Sequence, residues 1–80
     1  NDLSSADLSN AKLSGADLSS SILIYSKLRH TNLNGAILSG VDFSGADLRG
    51  ADLRGAILSN AKFYDSILGE ANLKGANISN

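Results

Sequence analysis

Residues 46–55 read Ala-Asp-Leu-Arg-Gly twice in succession, and this five-residue unit extends along the whole chain. Every unit has Leu, Phe or Ile at its third position, and sixteen units fill all 80 residues without an insertion. Side chains return to one face about every 3.6 residues in a helix and every 2.0 residues in a strand. A period of five would scatter these apolar side chains over either element. A chain that turns one corner per unit can direct all of them toward a common axis, so the spacing predicts a β-solenoid.

The other positions of the unit agree with a tube that has small residues inside and turns at its corners. The first position is Ala in ten units and nearly always small elsewhere, which predicts a second, more cramped inward site. The second and fourth positions are mostly polar. The fifth position holds seven of the eight glycines, together with Asn10, Asn60, Asn80 and Asp65. Because these residues tolerate the positive φ angles of turns, we expect two buried and three exposed positions per unit.

This unit resembles that of the pentapeptide-repeat family, A(D/N)LXX, which residues 16–20 and 46–50 match at every position. The resemblance covers all sixteen units of the chain. It implies an all-β fold, the right-handed quadrilateral β-helix or β-solenoid, with four pentapeptides per coil. The four coils would then comprise residues 1–20, 21–40, 41–60 and 61–80.

Residues twenty apart should stack in such a coil. This register places Phe43 over Phe63 and Ile37 over Ile57, and it aligns one uniform column of glycines and one of serines. The columns are Gly15, Gly35, Gly55 and Gly75, and Ser19, Ser39, Ser59 and Ser79. A triangular coil of fifteen residues is the alternative, and the columns favour twenty.

Length and composition predict a single repeat domain spanning residues 1–80. The chain has no Met, and neither end has a segment that would cap a solenoid, so we expect it to be part of a longer chain or to pair end to end. The longest apolar run, residues 22–25, is far too short to span a membrane. We therefore expect a soluble protein without a membrane partner, with the cytoplasm as the favoured compartment. The net charge of −1 predicts no bulk attraction to nucleic acid.

No catalytic, cofactor-binding or metal-binding residues are predicted. The chain has no Cys and one His, His30, which is expected to be exposed at a corner. Asp42, Asp47 and Asp52 lie five residues apart, so they should project from three successive faces and cannot form a catalytic dyad. A solid tube also offers no concave pocket. The sequence therefore predicts a protein that is not an enzyme.

An outward apolar patch is the first candidate site. It comprises Ile22, Ile24 and Tyr25, with Tyr64 two coils further along the column of Ile24. A contiguous exposed patch that contains tyrosine suggests a contact surface for a protein partner or for self-association. The alternative is a set of isolated exposed apolar residues, which need no explanation.

A basic stripe is the second candidate site, and it would bind phosphate or carboxylate groups. It comprises Arg29, Arg49, Arg54 and Lys74 at fourth positions of two adjacent faces, with His30 nearby. Like charges directly opposite each other destabilise a sheet, so their clustering needs a reason. The alternative is a solvated face partly neutralised by Asp47 and Asp52, and no aromatic residue interleaves for base stacking.

The resemblance also suggests functions. The best-known members of the family mimic DNA and act on gyrase, but this chain is shorter and closer to neutral. Small family members, abundant in cyanobacteria, resemble it better. We therefore expect a structural scaffold or protein-interaction module of unknown specific role. A DNA-mimic-like or charge-based topoisomerase- or nucleic-acid-related binder is the alternative, although nucleic acid is not the expected partner. A third hypothesis, ice or surface binding, would use the serine column.

Overall fold

The computed structural model describes residues 2–78, which form a four-sided tube that turns one corner after every five residues. In each unit the second residue makes a β-bridge, and in every unit up to residue 75 the fourth and fifth residues form the turn. Among these residues the strand pairing consists of single-residue parallel bridges from residue i to residue i+20, beginning with Asp2–Ile22 and ending with Ile57–Asn77. The predicted right-handed quadrilateral β-helix with 20-residue coils is therefore confirmed. No helix in this part of the chain could span a membrane.

We number the four faces of the tube by the first unit that each contains. Face 1 comprises residues 2–5, 21–25, 41–45 and 61–65, and face 2 comprises residues 6–10, 26–30, 46–50 and 66–70. Face 3 comprises residues 11–15, 31–35, 51–55 and 71–75, and face 4 comprises residues 16–20, 36–40, 56–60 and 76–78. Faces 1 and 3 lie opposite each other. Ser79, the last member of the predicted serine column, lies outside the described residues.

Hydrogen bonds account for every backbone N–H group of a typical unit, residues 46–50. Three of these groups, on Asp47, Leu48 and Gly50, donate to carbonyls of the adjacent coils at distances of 2.8–3.0 Å. The N–H group of Ala46 donates across the corner to the preceding unit at 2.9 Å. The N–H group of Arg49 donates to the Asp47 carboxylate at 3.2 Å. Because buried backbone donors must be paired, a proline at the second, third or fifth position would leave a gap in the ladder, which agrees with the absence of proline.

The Asp or Asn at the second position has a defined role in the turn. Its side-chain oxygen accepts a hydrogen bond from the N–H group of the fourth residue, which no carbonyl of a neighbouring coil reaches. Among residues 2–78 this bond occurs in eight units, whose donors are Ser4, Ser9, Ser19, Asn34, Ser44, Arg49, Arg54 and Lys74. The repeated D/N of the unit is therefore a local turn device as well as a polar surface residue.

The corners require an unusual backbone conformation. Every fifth-position residue between 5 and 75 has a positive φ angle, from 58° to 74°. Glycine adopts this region without strain, and Asn and Asp enter it more readily than other residues. Tyr25, His30 and Glu70 adopt it nevertheless. Their large side chains therefore occupy corners where the repeat most often has glycine.

The core lies along the axis of the two central coils. The third-position residues Leu23, Leu28, Leu33, Leu38, Phe43, Leu48, Leu53 and Leu58 are 0–1% exposed. The first-position residues of these coils are buried as well, and two polar ones pair inside the tube: Ser26 Oγ donates to the Leu23 carbonyl at 2.7 Å, and Thr31 Oγ1 to the Leu8 carbonyl at 2.8 Å. The predicted inward positions are confirmed there. In the first and last coils the same positions are less well covered: most are partly buried, and Leu68 and Ile78 are exposed. Within residues 2–78, each of these coils packs against one neighbouring coil.

Candidate interaction surfaces

The predicted apolar patch lies on face 1 and at its corner. Tyr25 and Tyr64 are 69% and 71% exposed, and Ile22 is 40% exposed, whereas Ile24 is half-buried. Tyr64 lies two coils beyond Ile24 in the same column, and Ser44 stands between them. The hydroxyl of Ser44 donates to the Asp42 carboxylate at 2.6 Å, so this intervening side chain is turned back onto its own unit.

Gly45 leaves room for the Tyr25 ring to lie on the next coil. A Cβ atom placed on Gly45 would lie 2.5 Å from the Tyr25 ring, so the ring rests directly on the glycine of the next coil. Gly45 in turn donates its N–H group to the Tyr64 carbonyl at 2.8 Å. The Tyr25 ring therefore extends along the tube toward the coil that carries Tyr64. The two aromatic side chains are separated by Ser44 and Gly45, which have little side-chain bulk.

Gly50 and Gly69 also lie under large side chains of face 2, Gly50 as closely as Gly45 and Gly69 at ordinary contact distance. A Cβ atom on Gly50 would lie 2.5 Å from Nδ1 of His30, and one on Gly69 would lie 3.6 Å from Cγ of Arg49. Tyr25, His30 and Arg49 thus all lean toward the following coil, over a residue that has no side chain. The repeat pattern does not distinguish Gly45 and Gly50 from the other fifth-position glycines, whereas Gly69 is the one glycine at a fourth position. In the sequence, this kind of contact is indicated by a glycine that follows a large residue by twenty positions, because the register then places the two in one column.

The stripe residues are paired with carboxylates to different extents. Asp47 binds both Arg29 and Arg49, and Asp52 binds Arg54 through a two-pronged contact of 2.9 and 2.8 Å. The backbone N–H of Lys74 donates to Asn72. On face 2, Arg29 and Arg49 therefore share one carboxylate. On face 3, Arg54 has a carboxylate of its own, and Lys74 lies in the next coil.

The charges of the four faces differ. Face 1 carries three carboxylates, Asp2, Asp42 and Asp65, and one lysine, Lys62, for a formal charge of −2. Face 3, on the opposite side, carries Lys12, Arg54 and Lys74 and one carboxylate, Asp52, for a formal charge of +2. The near-zero net charge of the chain therefore conceals an acidic face and a basic face. The apolar patch lies on the acidic one.

The turn hydrogen bonds and ion pairs lower the pKa of the second-position carboxylates. The Arg54 guanidinium lowers the pKa of Asp52 to about 2, from an ordinary value of 3.8. The Arg49 guanidinium, with help from Arg29, holds the pKa of Asp47 well below its usual range. Hydrogen bonds from the serine two residues later lower the pKa of Asp2, Asp7, Asp17 and Asp42.

These shifts predict that acid destabilises the fold. A carboxyl group whose pKa is lower in the folded protein than in the unfolded chain stabilises the fold when it is ionised. The contribution is complete above about pH 4 and is lost as the pH falls through the folded values, which for Asp52 is about 2. We expect the free energy of unfolding, measured by urea denaturation followed by circular dichroism, to fall between pH 4 and pH 2.

Asp52→Asn is the matched control for this loss of stability in acid. An asparagine keeps the turn hydrogen bond, as Asn32 and Asn72 do, but does not titrate. Its free energy of unfolding should fall less steeply with acid than that of the parent chain. An equal slope for the two proteins, or no loss of stability between pH 5 and pH 2, would contradict the prediction.

Among residues 2–78 the surface offers no pocket, and no cluster of His, Asp and Glu could hold a metal ion. His30 is exposed at its corner, as the sequence predicts. Asp42, Asp47 and Asp52 stand in three separate columns, which is also as predicted. The two surfaces described above are therefore the sites that the geometry offers.

A coil of four five-residue units with small and aliphatic side chains inside defines this chain as a β-solenoid repeat protein. A family model described as pentapeptide repeats matches residues 2–40 and 42–80, with eight copies. The chain belongs to the pentapeptide-repeat family.

Solved structures agree with this assignment. The pentapeptide repeat protein Rfr23 from the cyanobacterium Cyanothece 51142 is 37% identical with a TM-score of 0.94, over 96% of this chain and 53% of its own. QnrB1, a plasmid-mediated fluoroquinolone resistance protein, is 28% identical with a TM-score of 0.86, over 99% of this chain and 37% of its own. A pentapeptide repeat protein from Nostoc PCC 7120 is 42% identical with a TM-score of 0.59, over 90% of this chain and 64% of its own.

The chain thus spans about half of Rfr23 and little more than a third of QnrB1. Curated proteins give no significant match. The matching family model describes a structural repeat, and two of these three relatives come from cyanobacteria.

Proposed function

We propose that this chain is a non-enzymatic scaffold that binds a protein partner through the apolar patch on face 1. The observation that carries the proposal is the Tyr25 ring lying on Gly45, which extends the exposed aromatic surface toward Tyr64. Tyrosine is enriched in protein interfaces because it combines a large apolar ring with a polar end.

The charge around the patch favours a basic partner. Asp2, Asp42 and Asp65 surround it and leave face 1 with a formal charge of −2. Two copies of this chain that met through face 1 would bring like charges together, so a different protein that presents apolar and basic side chains fits better. The backbone of the tube spans 26 × 22 × 21 Å, so one face projects about 570 Å². Stable complexes bury about 800 Å² per partner, and the contact proposed here is therefore a weak or transient one.

A peptide library displayed on phage tests the patch while the partner is still unidentified. We expect the parent chain to enrich peptides that combine aromatic or aliphatic residues with Lys or Arg. Ile24→Ser and Tyr64→Ser should reduce binding of the enriched peptides by about tenfold or more, since an interface anchor contributes at least about 1–2 kcal/mol. Asp65→Lys should weaken binding of these peptides as well, because it reverses an exposed charge beside Tyr64.

Ile57→Ser is the matched control, because Ile57 is 38% exposed on face 4, away from the patch.

A second pair of variants moves the Tyr25 ring without removing it. Gly45→Ala would force the ring away, whereas Gly55→Ala has the same positive φ and nothing within 4 Å of the added atom. Of these two glycine variants, only Gly45→Ala should weaken peptide binding. Equal binding by all variants, enrichment of acidic peptides, or no enrichment would contradict the proposal.

Light scattering provides the test of self-association. The proposal predicts a molecular mass that does not change with concentration or with Ile24→Ser and Tyr64→Ser. A mass that rises with concentration in the parent chain, and not in these variants, would assign the patch to a second copy and overturn the proposal of a different partner.

A topoisomerase-related role is the second candidate, and the similarity to QnrB1, a fluoroquinolone resistance protein, is the observation that favours it. A gyrase supercoiling assay with increasing amounts of the chain tests this role directly, and unchanged supercoiling would remove it. A gel-shift titration with DNA tests direct nucleic-acid binding, which should weaken steeply with salt if phosphate contacts carry it.

A further inference from the structure

Arg29 and Arg49 occupy the same position on successive coils of face 2. The adjacent N–H group of His30 donates to the carbonyl of Arg49 at 3.0 Å, and Lys27 forms a β-bridge with Asp47. Two cations in such register repel each other, because successive coils are spaced like paired strands, about 4.8 Å apart. The arrangement therefore needs a compensating negative charge.

Asp47 supplies one negative charge for both guanidinium groups. Its Oδ2 accepts hydrogen bonds from Nε of Arg29 at 2.6 Å and from Nη2 of Arg49 at 2.7 Å. Its Oδ1 accepts from Nε of Arg49 at 2.9 Å and from the backbone N–H of Arg49 at 3.2 Å. The carboxylate is thus fully occupied, and the group of three side chains keeps a formal charge of +1.

Several donors of the two arginines remain available. Within residues 2–78, neither the terminal nitrogens of Arg29 nor the Nη1 of Arg49 make a hydrogen bond. The side chains of Arg29 and Arg49 are 54% and 46% exposed, whereas that of Asp47 is 13% exposed. Asp47 therefore anchors the two guanidinium groups from the tube side, and their unused donors are accessible to solvent. The other carboxylates of face 2, Asp7 and Glu70, stand one coil away on either side.

We propose that Arg29 and Arg49, held together by Asp47, form a binding site for a phosphate group, either as the free ion or as a phosphate monoester. Guanidinium donors match the oxygens of such a group in geometry and charge, and a dianion would complete the neutralisation that one carboxylate begins. This proposal narrows the basic stripe predicted from the sequence to two of its four residues. It lies on face 2 and is independent of the apolar patch on face 1.

Face 3 contains a natural reference site that lacks the second arginine. Arg54 binds Asp52 in the same bidentate geometry as Arg49 binds Asp47. Its Nε donates to Asp52 Oδ1 at 2.9 Å and its Nη2 to Asp52 Oδ2 at 2.8 Å. Asn34 stands where face 2 has Arg29, and its neutral side-chain amide makes a minor contribution to the lowered pKa of Asp52. This pair is neutral, so we expect it to bind phosphate more weakly. The two faces differ at this position by a single exchange of Arg for Asn, which makes a reciprocal experiment available.

Titration with inorganic phosphate and with an acetyl-phosphoserine amide tests the site. The readout is the NMR chemical shift of the arginine Nε–H groups, at a constant ionic strength because salt screens surface charges. We expect saturable shifts for Arg29 and Arg49 that exceed those for Arg54. Arg29→Asn should weaken binding about tenfold, as expected for the loss of charge-assisted hydrogen bonds. Asn34→Arg should produce a new saturable shift at Arg54.

Both substitutions are at exposed positions, and circular dichroism of each variant verifies the fold. Saturation by both probes supports recognition of the phosphate group itself, and saturation by inorganic phosphate alone restricts the ligand to the free ion. Equal shifts at Arg49 and Arg54, or a titration that Arg29→Asn leaves unchanged, would overturn the proposal. Peptide binding by the face 1 patch is measured separately, so either proposal can fail without the other.

Discussion

Replacement of Phe43 by alanine is expected to lower the free energy of unfolding by about 3–5 kcal/mol, the largest effect of any single substitution considered for this chain. Phe43 is 0% exposed in the third coil, and its ring stacks on that of Phe63 with centroids 5.2 Å apart. Alanine would leave a cavity between coils that a rigid hydrogen-bonded ladder cannot close. Because small domains are stable by only about 5–15 kcal/mol, such a loss would be a large share of the total stability.

Phe63→Ala is the matched control for this prediction. It removes the same ring and the same stacking contact, but Phe63 is only partly buried in the last coil. Since less apolar surface returns to water, we expect a loss of about half that for Phe43→Ala. Denaturation by urea, followed by circular dichroism, measures both. Equal losses for the two variants would mean that the central coils are no better packed than the last one.

Ala46→Leu is expected to destabilise the tube by about 1–3 kcal/mol or more, although it adds apolar surface. Ala46 is 0% exposed, and its neighbours in the column, Ser26 and Ser66, are also small. Three additional carbon atoms would have to displace backbone that is bound to the coils on both sides. The prediction tests whether the first position of the unit is small because of steric limits inside the tube.

Ala6→Leu tests the same exchange in the first coil, where Ala6 is only partly buried. The larger side chain can extend past the edge of the coil there, so we expect a change of less than about 1 kcal/mol. Thermal unfolding of the two variants distinguishes the outcomes. A tolerated Ala46→Leu would show that the predominance of alanine has another cause.

The class of fold and the core could be predicted from the sequence because each unit determines its own local geometry. A large apolar residue at the third position of every five-residue unit and a turn residue at the fifth can be satisfied together only by a chain that turns one corner per unit. The burial of Leu28, Leu48 and Leu53 follows from that rule alone. The turn role of the second-position Asp and Asn was not predicted, because a polar residue at an exposed position has a simpler explanation as a solvated surface group.

The two candidate sites were predicted less completely. The register of twenty residues places Tyr64 in the column of Ile24, Arg49 over Arg29 and Lys74 over Arg54, and the roles of both surfaces stay predictions. Their contacts were not predicted. The sharing of Asp47 by two arginines, and the 2.5 Å approach of the Tyr25 ring to a Cβ atom on Gly45, depend on the direction in which long side chains lean.

The sequence by itself thus determined the tube, its corners and its buried columns, because these depend on a pattern that repeats every five residues and on backbone sterics. Only the tertiary structure decided how the surface is organised. A side chain on one coil meets residues twenty positions away, and the bulk and charge of those residues determine whether it lies flat, pairs or remains available. The acidic face with its tyrosines and the paired arginines of face 2 arise from these contacts between coils.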